Sequence, residues 1–349
     1  MTLSDFDYIL PDDKIAQTPM SPRDHSKLLI LDRKPETLTD AHFYDLADLL
    51  TPNDVLVVND TKVFPARLNA RSAFVGPARS FEILLEKEIS LTADTVTWSA
   101  LTKPGLKVGQ RISVPNTPIT GTCIRVDDYR RIITFSASRE HFMTILTTWA
   151  KTPIPPYIKW QQDDEARLRA LYQTVYAHRV GAMAAPTAGL HFTPELLTKL
   201  RTKGVQIINV TLHVGLGTFL PVKTENVLEH HMHEEWYEVS YESSVALQNA
   251  RKIGKRIIAV GTTVVRVLET SKFEMGSGTT SIFIYPPYKF DYVDSLITNF
   301  HTPKSTLLML VTAFCGGTIF KGSLIGKAYQ HALDNDYHFY SFGDAMWIR

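Results

Sequence analysis

Between residues 68 and 150 the chain breaks into short β-prone runs separated by turn residues, and no other feature limits its possible architectures as tightly. FEILLEKE (81–88), TVTWSALT (95–102), RISVP (111–115), GTCIRVD (121–127) and RRIITFSA (130–137) follow one another, with Gly76, Pro77, Gly105, Gly109, Pro115 and Pro118 as punctuation. Evenly spaced short strands with Gly and Pro at the turns close into a small barrel or sandwich. The proline-rich KTPIPPYIKW (151–160) reads as the linker leaving this segment.

The flanks have a different texture. LLIL (28–31) and VLVV (55–58) are compact apolar runs of the kind that form buried strands. AHFYDLADLL (41–50) has helical spacing at Phe43, Leu46, Leu49 and Leu50 and stops at Pro52. DDEARLRALYQTVYA (163–177) opens on acidic residues, which favour a helix N-terminus. Thr193-Pro194 offers a cap and first turn, with Gly204 as the stop. VQIINVTLHV (205–214) reads as a strand, SSVALQNARKIGK (243–255) as a helix, RIIAVGTT (256–263) as a strand and VVRVLETS (264–271) as a helix. Strand and helix in alternation define an α/β unit. The expected fold is therefore an α/β main domain with an inserted small all-β barrel domain. Residues 1–67 and 151–349 would form the α/β catalytic domain, and residues 68–150 the barrel.

Composition removes several classes. With 349 residues, 44% hydrophobic and 21% charged, the chain can bury a core without staples. Its two cysteines, Cys123 and Cys315, form no CxxC pair, which excludes a disulfide scaffold and a Cys-rich zinc module. Lys and Arg number 37 against 36 Asp and Glu. There is thus no overall basic coat, and RNA would have to meet local clusters such as RKIGKR (251–256), KLRTK (199–203) or Arg130-Arg131. The longest strongly apolar run, LLMLVTAFC (307–315), is far short of the roughly 20 residues of a membrane span. The acidic start MTLSDFDYILPDDK lacks the pattern of a secretory signal. These features lead one to expect a cytoplasmic monomer with no membrane partner.

The chemistry-bearing motifs gather in the second half. In RIIAVGTTVVRVLE (256–269) a strand ends in Gly261-Thr262-Thr263 and a helix follows, placing backbone N–H groups and hydroxyls where α/β sheets bind ligands. An ordinary capped βα turn has the same residues. GLGTF (215–219) carries a GxG, but TFLPV stands where a dinucleotide-binding helix would begin, so a Rossmann nicotinamide site is excluded. AAPTAGLHFT (184–193) and TNFHTPKSTLLMLVTAF (298–314) each place polar residues ahead of a helix: Thr187 and His191 in the first, Asn299, His301, Lys304 and Ser305 in the second. In VVNDTKVFPARL (57–68), Asn59, Asp60 and Arg67 can hold a polar ligand or form an internal turn. EHHMHEEW (229–236) raises a metal-dependent hydrolase as the alternative, built on His230, His231 and His233. Its spacing is poor for zinc, with neither HExxH nor CxxC present, so no metal is expected. Six of the twelve histidines fall between 191 and 301. Histidines gathered on loops suit acid–base work.

Taken together, these segments resemble the S-adenosylmethionine:tRNA ribosyltransferase-isomerase family of queuosine biosynthesis. The resemblance runs from SDFDYILPDDKIAQTP to YSFGDAMWI and is carried by NDTKVFPARL, YQTVYA, GAMAAPTAGLHFT, VTLHVGLGTFLPV, HHMHEEWY, IAVGTTVVRVLE and TNFHTPKSTLLMLVTAF. Departures are small: PPYKF (286–290) stands where the family usually has PGY, and Glu234 where a Ser is common. The resemblance implies an α/β domain carrying a β-barrel. It also implies S-adenosylmethionine as a consumed co-substrate rather than a cofactor. The partner would be a tRNA bearing 7-aminomethyl-7-deazaguanine at the wobble position. The ribosyl unit would move to the aminomethyl group and isomerise, giving epoxyqueuosine-tRNA with adenine and methionine released. Such chemistry needs a base for the 5′ proton, a donor facing adenine and an acceptor for the amine proton. His191, His213, His231 and His301 are the candidate acid–base groups. Asn59, Asp60, Arg67, Thr187, Thr262, Asn299, Lys304 and Ser305 are the candidate substrate-binding residues, with Thr187, Thr262, Asn299 and Ser305 expected as donors to ribose or carboxylate.

Overall fold

The computed structural model describes residues 1–73, 79–160, 164–215, 222 and 224–349. It divides into two compact units, one of residues 1–62, 155–161 and 171–349, the other of residues 63–154 and 162–170. The first is the expected α/β body and the second holds the expected β-barrel.

The α/β unit is built on a nine-stranded mixed sheet ordered β15-β13-β12-β3-β14-β16-β17-β1-β2. Its strands are β1 (Lys27–Arg33), β2 (Glu36–His42), β3 (Asp54–Asn59), β12 (Gln206–Leu212), β13 (Glu235–Val239), β14 (Arg256–Val260), β15 (Gly276–Thr280), β16 (Ser295–Asn299) and β17 (Ala345–Ile348). The short strands β4 (Thr61–Val63) and β11 (Arg179–Ala182) lie outside it. At the centre, β12, β3, β14 and β16 run parallel. Every residue of β3 is buried, as expected of a strand covered on both faces.

Successive side chains of a strand alternate between the two faces of its sheet, and here each face has its own core. Val55 and Val57 pack with helices α5 (Tyr241–Lys252), α6 (Thr262–Ser271), α7 (Thr306–Phe314) and α8 (Leu324–Asp334). Leu56 and Val58 pack with α1 (Leu46–Leu49) and α4 (Pro194–Thr202). Helix α4 begins as its sequence indicates: the Thr193 hydroxyl accepts from Leu196 N–H, Pro194 fills the first turn, and Gly204 follows the end with φ of 90°.

The second unit is a closed antiparallel barrel in the order β10-β7-β6-β5-β8-β9, from β5 (Arg67–Ser72), β6 (Ser80–Leu91), β7 (Val96–Lys103), β8 (Arg111–Ser113), β9 (Thr120–Asp127) and β10 (Arg130–Phe135). Phe81, Ile83 and Leu85 alternate inward along β6. Helix α2 (Arg139–Trp149), capped by Ser138, has no counterpart in the sequence reading. It buries Phe142, whose ring centroid lies 4.7 Å from that of Phe135 and 6.2 Å from that of Trp98.

Two expected helices differ. Residues 41–50 are not one helix: β2 continues to His42 because it pairs antiparallel with β1 along its length, a 3₁₀ turn follows at Phe43–Asp45, and only Leu46–Leu49 is α-helical. Strand pairing outweighs local spacing here. Helix α3 covers only Glu165–Leu171 of the expected 163–177. The Arg23 guanidinium takes the carbonyls of Leu171 and Gln173 at 3.2 and 2.7 Å, so the chain leaves the helix with these acceptors satisfied.

A buried ion pair joins α6 to β13. Arg266 and Glu235 are about 5% exposed as side chains, and Arg266 Nη1 donates to Glu235 Oε2. Glu235→Leu should cost about 3–5 kcal/mol, because it strands a buried guanidinium. The double variant Glu235→Leu/Arg266→Met should recover most of that loss. Urea denaturation of the three proteins measures it; a Glu235→Leu protein as stable as wild type would contradict the account.

Candidate active site

The four parallel central strands direct their carboxyl ends to one edge of the sheet, where loops and helix N-termini converge in α/β folds. A cavity of about 370 Å³ opens at this edge. Its walls are the turn after β14, the end of β16 with the segment running into α7, the Ala184–Ala188 loop, and Tyr157, Tyr340 and Ser341.

Each wall follows from its sequence. Gly261 ends β14 with φ of 93°, which residues with a Cβ rarely adopt, and α6 starts at once. No side chain caps α6, so the N–H groups of Thr262 and Thr263 have no partner among the described residues. Thr262 is 6% exposed, lines the cavity, and its hydroxyl is without a partner among the described residues. Helix α7 is capped by Ser305, whose oxygen accepts from Leu308 N–H at 3.2 Å while its hydroxyl donates to the Thr302 carbonyl at 2.7 Å. Thr306 and Leu307, in the first turn, also line the cavity. Two helix N-termini therefore meet at one cavity, an arrangement that favours an anion.

The 187–191 turn, which carries Thr187 and His191, is tightly packed: a Cβ at Gly189 would collide with the Tyr176 hydroxyl. Thr187 donates to Asn299 Oδ1 at 2.9 Å, and Asn299 Nδ2 meets His191 Nε2 at 3.1 Å and the Asp344 carbonyl at 3.4 Å. His191 Nδ1 meets Ser26 Oγ at 2.7 Å, and its ring stacks on Phe43 with centroids 5.0 Å apart. His191 is thus one residue back from the cavity wall. Burial, with Arg23 adding to it, pushes its pKa down to about 3. His301 lines the cavity, its Nε2 2.9 Å from Thr298 Oγ1, its N–H donating to the Tyr329 hydroxyl at 2.8 Å. Burial pushes its pKa down to about 3 as well. Lys304 also lines the cavity, with Nζ 3.0 Å from Asp7 Oδ2.

Of the sequence candidates, Thr187, Thr262, Asn299, His301, Lys304 and Ser305 come together at the cavity, and His191 joins through Asn299. The others lie elsewhere. Asn59 is an internal clamp: its Nδ2 donates to Leu212 O and Thr263 Oγ1, and its Oδ1 accepts from Leu212 N–H and Thr61 N–H. Asp60 accepts from the Thr211 hydroxyl at 2.6 Å and borders a separate depression with Arg179; burial raises its pKa. Arg67 belongs to the barrel unit, where its backbone pairs with Lys151. His213 bonds Thr61 Oγ1 at 2.8 Å and stacks on Trp236; burial, then Arg179, pushes its pKa down to about 4. His231 is exposed and His230 packs edge-on to Phe283. Among the described residues no group of three or more His, Cys, Asp or Glu is placed to hold a metal ion, so the hydrolase alternative is not favoured. In the GLGTF motif only Gly215 falls within the described residues. The basic clusters are partly spent internally: Arg251 pairs with Asp294, Arg256 with Asp54, Arg130 with Glu86, and Lys203 donates to the carbonyls of Ala47 and Asp48.

Sequence reasoning missed Tyr157, Tyr340, Ser341 and Ser26. Tyr157 and Tyr340 form an aromatic wall with centroids 4.6 Å apart, and the Tyr157 hydroxyl lies 2.7 Å from Ser341 Oγ. They come from irregular segments without periodicity: KTPIPPYIKW reads as a linker, and YSFGDAMWI enters only as the end of the family resemblance.

The fold is that of an α/β unit, with a cavity at the carboxyl ends of its central strands, in one chain with a closed β-barrel. Comparison with known proteins specifies it further. The family described as queuosine biosynthesis protein matches residues 3–348. S-adenosylmethionine:tRNA ribosyltransferase-isomerase of Carboxydothermus hydrogenoformans is 47% identical over 354 residues, covering 100% of both chains. The protein of the same name from Desulforamulus reducens is 46% identical over 356 residues, again covering 100% of both. The crystal structure of S-adenosylmethionine tRNA ribosyltransferase from Thermotoga maritima matches with TM-score 0.55 and 37% identity, covering 99% of this chain and 100% of that one. The chain belongs to the queuosine biosynthesis protein family.

The two buried histidines make a pH prediction. Unfolded, both titrate near 6.5; folded, near 3. Their contribution to stability is fully present above 6.5 and is lost as pH falls toward 3, approaching about 1.4 kcal/mol per pH unit for each ring. Urea unfolding from about pH 7 to about pH 5 reads this slope. His301→Leu should flatten it by nearly one proton's worth; an unchanged slope would contradict a buried neutral His301.

Proposed function

We propose that this protein is an S-adenosylmethionine-dependent tRNA ribosyltransferase-isomerase. It moves the ribosyl unit of S-adenosylmethionine onto the aminomethyl group of 7-aminomethyl-7-deazaguanine at the tRNA wobble position, isomerises it to the epoxycyclopentanediol, and releases adenine and methionine. The observation that carries this reading is identity near 47% over the whole of both chains to a relative bearing that activity in its name. The protein acts as a cytoplasmic monomer. Among the described residues no helix is long and apolar enough to cross a membrane.

The cavity supports the reading residue by residue. The N-termini of α6 and α7 offer N–H groups to the methionine carboxylate. Tyr157 and Tyr340 present aromatic faces, which attract a cationic sulfonium and stack on a purine. His301 is the acid–base candidate on the cavity wall, and its neutral state at pH 7 is the state a proton acceptor for the 5′ carbon requires. Lys304, held by Asp7, adds positive charge at the rim. A cavity fixed by hydrogen bonds stabilises developing charge without reorganising. His213, His231, Asn59 and Asp60 lie off the cavity and take no direct part.

Incubation with S-adenosylmethionine and tRNA bearing the aminomethyl-deazaguanine should release adenine and methionine in equal amounts. Chromatography of the small-molecule products checks this. S-adenosylhomocysteine as the main product would make the protein a methyltransferase and overturn the proposal.

A further inference from the structure

We infer that His191 is a positioning residue: by accepting an N–H from Asn299 it turns that amide's oxygen, together with the Thr187 hydroxyl oxygen, toward the cavity as an acceptor edge for an N–H or O–H group of S-adenosylmethionine. The inference rests on the proposed co-substrate and names the part of it that this wall receives.

The orientation follows from bonding arithmetic. The Asp344 carbonyl can only accept, and it faces the same end of the Asn299 side chain as His191 Nε2. That end must therefore be the NH₂ group. An NH₂ group donates, so His191 Nε2 must accept, and the proton of the neutral ring sits on Nδ1. From there it donates to Ser26 Oγ at 2.7 Å. Both amide N–H groups of Asn299 are then spent away from the cavity. Its oxygen takes the Thr187 hydroxyl proton at 2.9 Å and keeps a second lone pair. Thr187 has likewise spent its proton and keeps its lone pairs. Both residues line the cavity, and Asn299 is 2% exposed.

This differs from the expectation that Thr187 and Asn299 donate to ribose or carboxylate. Two neutral oxygens with lone pairs repel a carboxylate and welcome a donor. S-adenosylmethionine carries three kinds: the α-ammonium of its methionine part, the ribose hydroxyls and the adenine 6-amino group. The carboxylate is left to the N-termini of α6 and α7 at the same cavity. A neutral ring is required throughout, and burial together with the nearby Arg23 guanidinium keeps it neutral.

Two measurements test the inference. The first needs no substrate: ¹⁵N NMR of the imidazoles in the whole protein, followed from neutral pH to below 6.5, the ordinary histidine value. His191 should remain the neutral tautomer protonated at Nδ1. Protonation at Nε2, or titration near 6.5, would overturn the inference.

The second is calorimetric titration of five ligands: S-adenosylmethionine and its analogues lacking the α-amino group, the ribose 2′-hydroxyl, the ribose 3′-hydroxyl or the adenine 6-amino group. His191→Phe keeps an aromatic ring against Phe43 but removes the acceptor, leaving the amide free to turn a donor toward the cavity. Affinity for S-adenosylmethionine should fall roughly 10-fold or more, and His191→Gln, which restores an acceptor, should recover most of it. Wild type should discriminate against one analogue, which identifies the donor, and His191→Phe and Thr187→Val should both lose that discrimination. Discrimination retained in both variants, or a His191→Gln protein as weak as His191→Phe at unchanged melting temperature, would overturn the inference. Wild type that binds S-adenosylmethionine but releases no adenine would instead contradict the proposed reaction and leave this comparison valid.

Discussion

Asn59 holds together the elements whose ends make the cavity. It is the last residue of β3, and the ladder between β3 and β12 ends at its pairing with Val210. Its side chain carries the join further, bonding both backbone groups of Leu212 at 3.0 Å and reaching Thr263 Oγ1 on α6 at 3.3 Å. One buried amide thus fixes two strand ends and the start of the helix that supplies unpaired N–H groups. Removing it would strand buried donors and acceptors, each worth about 1–3 kcal/mol. Strand ends and helix start are thus locked by bonds within the protein itself, the kind of preorganised frame that electrostatic catalysis requires.

The cavity lining carries groups of opposite polarity. The uncapped start of α6 and the first turn of α7 are electropositive. The Asn299 and Thr187 oxygens are acceptors, held by His191 and Ser26 behind them. Tyr157 and Tyr340 supply an aromatic pair from segments distant in sequence. A ligand bearing a carboxylate, an ammonium, a sulfonium and a purine matches such a lining. The same burial that orients these groups keeps His191 and His301 neutral.

Much of this was legible in the sequence. The barrel announced itself through short strands between Gly and Pro, and the α/β unit through apolar runs such as VLVV and through the strand–helix alternation around RIIAV. GTT and NFHTPKST named cavity-lining residues because a helix start after a strand end is a local pattern. What depends on distant partners was not legible. β2 has largely exposed residues and exists because β1 pairs with it. β17 joins the sheet beside β1 from the far end of the chain. Asn59 and Asp60 are adjacent in sequence, yet one clamps the cavity's frame and the other bonds Thr211 beside a different depression. The histidines were the hardest: sequence shows their loops but not their burial, and burial turns His191 from an acid–base candidate into an acceptor for an amide.

A crystal structure of the whole protein with S-adenosylmethionine tests the central claim most directly. The ligand should occupy the cavity at the carboxyl ends of β14 and β16, its carboxylate on the N–H groups of α6 or α7, and a donor within hydrogen-bond distance of Asn299 Oδ1. Density for the ligand in the depression beside Asp60 and Arg179, or on the barrel unit, would contradict the account. So would a carboxylate seated on Asn299.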